Sequence, residues 1–381
     1  MKLRRIVVAP VSFLTVLLTI LFGPTGVAAA PKVYVTNELS NDVSVIDVAT
    51  NMVVNTIPVG PQPRPVAVSP NGAWVYVANF GTNPSTVSVI DTASDTVVST
   101  ITAGTAPTRI AFSLDSTVAY AINEGSNNIN VIDTATQTVV GQPIATGPAP
   151  RGCGATPDGK YGIVCTSNEV WVFDGTTPSN PVLVAQIAVA TSLFGGVFTP
   201  DGAYLYLIGD GADVVVIDMT TFTVLTRITV GAGASGDMRP DGAFLYVTVS
   251  GRTDIQLIDT NPANSTFNTI VDSVSAGTSP LMGGQFVPGG AMFLTGNQLG
   301  QLLAIDSVPT SATYHTVVGT TSLAGIGADD RVDITRDARF FYFTNKASNA
   351  VRVIDLNLAV FNVVATITVG TSPTHLAITP F

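Results

Sequence analysis

Six polar side chains stand apart from the small and apolar residues that otherwise fill equivalent places: Arg109, Asp237, Gln285, Arg331, Asp333 and His375. Each lies two or four residues before a recurrent turn. Ala67, Ala111, Gly154, Val197 and Ala377 occupy the first of these places elsewhere, and Pro65, Gly152, Gly195 and Ser235 are among those at the second. Polar groups drawn from several segments to one mouth make a ligand site. Asp237 and Asp333 with His375 would suit a hydrolase or lyase that uses a divalent cation. Oxygen-rich ligands favour Ca²⁺ or Mg²⁺ over zinc. Asp329 and Asp330, followed by Asp333, add carboxylates to that reading, but without the spacing of an established calcium loop. The competing reading is a watered channel of mutually paired ions, Arg331 with Asp333 or with Asp329 and Asp330. No organic cofactor is expected.

Other patterns carry less chemistry. His315 and His375 are the only histidines, and they lack metal-ligand spacing. No catalytic dyad or triad spacing is visible. The run Gly231–Gly236 spells a dinucleotide fingerprint, but it lies between two strands, whereas the fingerprint needs a helix N-terminus. Asn264-Ser265-Thr266 is a glycosylation acceptor only in a host that glycosylates.

The elements that must position these residues are written as a repeat. A short apolar strand ends in Asp at 47, 91, 133, 174, 218, 259, 306 and 355, at intervals of 41 to 49 residues. That is the period of a four-stranded propeller blade. Between Pro65 and Gly104 the chain reads strand, Ser69–Gly72 turn, strand, loop, strand, turn, strand. Each repeated Asp precedes a turn, where a carboxylate caps backbone N–H groups, and the recurrent Asn37, Asn79, Asn123, Asn297 and Asn345 take the same structural reading. The chain opens on a second strand and ends on a first strand, Thr374 to Thr379, so the C-terminal strand should join the N-terminal blade. The expected fold is all-β: one propeller of eight blades, with seven as the alternative because the last two intervals are long.

Charged residues make up only 11% of the chain, which suits many short strands joined by tight turns. Lys2, Arg4 and Arg5 precede an apolar run from Ile6 to Phe22 and small residues up to Ala30. This is the pattern of a secretory signal over residues 1–29, leaving 30–381 as the propeller, with no membrane span after cleavage. A retained anchor is the competing reading, and the run is just short of the roughly 18–20 residues that span a bilayer. Removing three cations takes the net charge from -10 to -13, which argues against nucleic acid. The periplasm, cell surface or medium is the expected location. Cys153 and Cys165 flank one turn nearly opposite each other, so a disulfide competes with two buried thiols.

The segments Lys32–Asn37 and Phe341–Asn345, followed by Val-Ile-Asp and preceded by Pro-Asp-Gly or Pro-Asn-Gly turns, resemble the YVTN family of β-propeller repeats. The resemblance covers the mature chain, and its core is degraded at Cys165, Leu207 and Leu294. It implies an exported propeller, often of surface-layer or cell-surface type, and no catalytic residue. Two functions follow as expectations. One is a binding scaffold for a protein or glycan partner at the cell envelope, leaning away from an enzyme. The other is a lactonase- or lyase-like enzyme, or redox accessory subunit, working at the channel mouth.

Overall fold

A computed structural model describes residues 31–189, 193–209, 211–277, 279, 281–323, 331–357 and 361–380. The segment 1–30, read above as a signal, lies outside them, as do Asp329 and Asp330. The described chain forms eight four-stranded antiparallel sheets. Eight blades, not seven, is therefore the count.

Blade 1 consists of Lys32–Asn37, Asp42–Asp47 and Met52–Pro58 together with the C-terminal strand Pro373–Ile378. Val33 faces Ile378 and Tyr34 faces Ala377 across that closing seam. Both ends of the described chain are thus held by ladder hydrogen bonds. The other inner strands are Pro63–Val68, Pro107–Phe112, Arg151–Ala155, Leu193–Phe198, Ala234–Met238, Leu281–Phe286 and Val332–Ile334, in blades 2 to 8. From blade 8 through blade 1 to blade 7, inner strands of successive blades contact one another, so they ring the centre.

The core lies between blades. Second strands alternate, as a two-residue period requires. Tyr34 of blade 1 packs with Val75 and Val77 of blade 2, and the same knob recurs at fully buried Tyr76, Tyr206, Tyr246 and Tyr342. All eight repeated aspartates accept turn N–H groups, for example Thr50 on Asp47, Ala93 on Asp91 and Asn357 on Asp355. The buried asparagines tie strands together: the Asn79 amide donates to Ser88 Oγ at 2.9 Å. Gly60, two residues past the end of an outer strand, lies against that amide. A Cβ there would lie 2.5 Å from Asn79 Nδ2, so the Val-Gly and Asn signatures are two halves of one blade contact.

Candidate functional site: an arginine-lined channel mouth

Six of the eight inner strands begin with a register shift, for example between Pro63 and Val66, Pro107 and Arg109, and Gly152 and Gly154. A bulge adds one residue to its strand and re-aims the side chains beside it. Arg64, Arg109 and Arg151 sit at three of these strand starts, and Arg331 just before the regular inner strand of blade 8, all at one end of the ring. All line a single cavity of about 940 Å³, together with Glu124, Asp333 and His375. Four guanidinium groups there face two carboxylates, in a chain of net charge -10.

The arginines differ in how they are held. Arg64 donates to Glu38 Oε1 at 2.7 Å and stacks 4.6 Å over Phe80, and Lys346 reaches the other Glu38 oxygen at 3.2 Å. Burial pushes the Glu38 carboxyl up, but those hydrogen bonds and charges outweigh it and hold its pKa below the usual range. Among the described residues, Arg151 makes only a long side-chain contact of 3.4 Å to Glu124. Arg109 is open to solvent yet ringed by protein, and that burial lowers its pKa. The Arg331 guanidinium has no hydrogen bond or ion pair among the described residues, and the residue is exposed.

Asp333 does not pair with Arg331. Its two oxygens accept the backbone N–H groups of Ile334 at 2.8 Å and Ile378 at 3.1 Å. Burial raises its pKa to about 6. Asp237 is built identically two blades away, accepting from Met238 and from Phe286, both at 2.9 Å. Burial raises its pKa as well. Asp237 and Gln285 do not line the arginine cavity. The structure therefore brings together Arg109, Arg331, Asp333 and His375 and separates Asp237 and Gln285 from them. Asp237, Asp333 and His375 do not form one acidic cluster, because both carboxylates serve blade interfaces. Among the described residues no three His, Cys, Asp or Glu side chains come together as metal ligands do.

His375 lines the cavity with a buried Nδ1 that has no partner among the described residues. Burial, with Arg331 and Arg64 nearby, pushes its pKa down to about 3, so the ring is neutral. His315 is structural: its Nε2 lies 2.8 Å from Tyr246 Oη. Cys165 is disulfide-bonded, and the Cys153 side chain lies outside the described set. Sequence reasoning missed Arg64 and Arg151. Both sit one residue before the aligned place, and a bulge that shifts register is invisible to counting.

The lactonase family described as a 7-bladed β-propeller matches residues 20–147. The chain is similar to that family over its first three blades. No curated protein matches the chain. Among solved structures, dihydro-heme d1 dehydrogenase NirN in complex with DHE is 18% identical, with 91% of this chain and 74% of that one covered and a TM-score of 0.72. Apo AztD from Citrobacter koseri is 12% identical over 92% and 97% of the two chains, TM-score 0.64. Kuenenia stuttgartiensis hydrazine synthase is 20% identical over 85% and 92%, TM-score 0.53. These likenesses concern the propeller fold. Among the described residues no helix is long and apolar enough to cross a membrane.

Proposed function

We propose that this chain is an exported binding propeller whose arginine-lined mouth holds a carboxylate-bearing partner, an acidic glycan or an acidic protein segment. Residues 1–29 are the export signal in this reading, and the periplasm, cell surface or medium is its location. The observation that carries it is the meeting of Arg64, Arg109, Arg151 and Arg331 at one cavity of about 940 Å³ in an acidic chain. Guanidinium groups suit carboxylates because their planar donors match two oxygens at once. Arg331, unpartnered among the described residues, is the anchor, and the orphan Nδ1 of neutral His375 offers a further polar contact.

The match to a lactonase family over residues 20–147 favours a second reading, lactone hydrolysis at the same mouth. Its weakness is the base. With a pKa near 3, His375 would hardly draw a proton from water at neutral pH. Ca²⁺ or Mg²⁺ would have to be held by a set of ligands other than Asp237 and Asp333, whose oxygens already serve backbone N–H groups.

The test is calorimetric titration of the full chain at low ionic strength with oligogalacturonate and with an oligoglutamate peptide, beside a panel of lactones. Binding of one polycarboxylate, lost on combining Arg109→Ala with Arg331→Ala, is expected. Absence of binding by both would overturn the reading, and lactone turnover would move the mouth to the second one.

A further inference from the structure

Second strands carry a bulky apolar residue at their second place: Val33, Val75, Leu205, Leu245, Phe293 and Phe341, with Ala119 the smaller exception. These residues fill the boundary with the preceding blade, as Val75 does beside Tyr34. Blade 4 has Gly162 there. A Cβ at Gly162 would meet nothing within 4 Å, and Gly154, on the adjacent inner strand, is equally open. Neighbouring groups have not collapsed into that space. Tyr120, the blade 3 counterpart of five fully buried tyrosines, is only half-buried. The buried core at this boundary is small, with Ile122, Ile129, Val164 and Phe173 its buried members.

What remains is a cavity of about 640 Å³ between blades 3 and 4. Phe112, Tyr120, Ile163 and Phe173 line it, Arg109 stands where it borders the channel, and Leu114 lies at its other, turn-side mouth. Asp115, Asp158 and Lys160 also border it, but both carboxylates are engaged by their own turns, Asp115 with Ser113 and Thr117, Asp158 with Thr156 and the Lys160 N–H. Ligand pockets fall in the range of about 300–1,000 Å³, apolar with a few placed polar groups.

We propose that the boundary between blades 3 and 4 is a second ligand site, for an aromatic small molecule with one anionic group. Its rings lie between Tyr120 and Phe173, and its anion faces Arg109. The site shares Arg109 with the polycarboxylate mouth, but its apolar body, opened by Gly162 and Gly154, is distinct from it.

The test uses 8-anilinonaphthalene-1-sulfonate, an anionic aromatic probe, and N-phenyl-1-naphthylamine, its uncharged relative, against the folded full chain. Both should bind with enhanced fluorescence. Gly162→Leu, which restores the residue of blades 5 and 6, should weaken both at least tenfold, raise the melting temperature, and leave oligogalacturonate titration as it was. Gly162→Ala, with one added methyl, should give a smaller fall of the same sign and serves if the leucine variant does not fold. Arg109→Gln should weaken the sulfonate and spare the amine. Probe binding unchanged by filling at Gly162 would overturn the proposal. So would a lower melting temperature in both variants, because the added atoms would then be displacing packed groups.

Discussion

Asp333 reaches across a blade boundary to Ile378: its Oδ2 accepts the Ile378 backbone N–H at 3.1 Å. Ile378 belongs to the strand that closes the ring, so a blade 8 carboxylate helps to hold the seam. An inner strand has one free edge facing the channel, and its N–H groups there need partners. Replacing Asp333 by Ala removes the acceptor of two N–H groups at once. A loss of roughly 2–4 kcal/mol is expected. Asp237→Ala, at the Phe286 contact, should cost about the same. Urea unfolding measures both, and a change within about 0.5 kcal/mol would show that water replaces the carboxylates.

The pH dependence has two opposed parts. Asp333 has a folded pKa of about 6, against about 3.9 in the unfolded chain, so the folded state binds more protons between those values. Its contribution is full below about 4 and is lost as pH rises through 6. His375 has a folded pKa of about 3, against about 6.5 unfolded. Its contribution is full above about 6.5 and is lost as pH falls toward 3. The histidine is displaced further, so the protein should weaken on going from pH 7 to pH 4.5. Asp333→Asn should steepen that weakening and His375→Gln should flatten it. Denaturant midpoints at the two pH values decide, and parallel slopes in all three proteins would contradict the assignment.

The ring itself was legible because its signals are local. A repeated Asp before a turn and the offset between the first and last strands sufficed for eight blades and their closure. The mouth was legible only in part. Arg109, Arg331, Asp333 and His375 were found by alignment on turns, because equivalent inner-strand places do share one end of the ring. Arg64 and Arg151 were not, because a bulge shifts them by one place. Nor could spacing reveal that Asp237 and Asp333 aim at the next blade. That depends on a free N–H in a strand 45 to 49 residues away.

Arg64 and Arg331 should separate stability from binding. Arg64 clamps Glu38 and stacks on Phe80, so Arg64→Ala should cost about 1 kcal/mol of stability through lost packing and hydrogen bonds. Arg331 lacks a partner among the described residues, so Arg331→Ala should leave unfolding within about 0.5 kcal/mol. The same substitution should weaken polycarboxylate binding by about 5–20-fold and make it less salt-dependent. Titration at two ionic strengths beside a urea curve resolves the two variants. An Arg331→Ala protein that unfolds early but binds normally would reverse the assignment.

The tyrosines of the second strands give a comparison within one fold. Tyr34 donates to Asp95 at 2.5 Å, Tyr206 to Asn268 at 2.6 Å and Tyr342 to Asn51 at 2.7 Å, each acceptor being a left-handed residue in the outer turn of the next blade. Where blade 4 has Ile163 in place of the tyrosine, the turn residue is Phe222, which packs against the same cluster. Tyr76 keeps the ring, but its hydroxyl is buried with no partner among the described residues. Tyr34→Phe, Tyr206→Phe and Tyr342→Phe should each cost about 1 kcal/mol, because a half-buried acceptor loses its donor. Tyr76→Phe removes a buried hydroxyl that gains nothing from the fold, so it should be neutral or stabilising by up to about 1 kcal/mol. Thermal or urea unfolding of the four variants reads the difference directly. A Tyr76→Phe loss equal to the other three would mean that its hydroxyl has a partner, most simply an ordered water between blades 2 and 3.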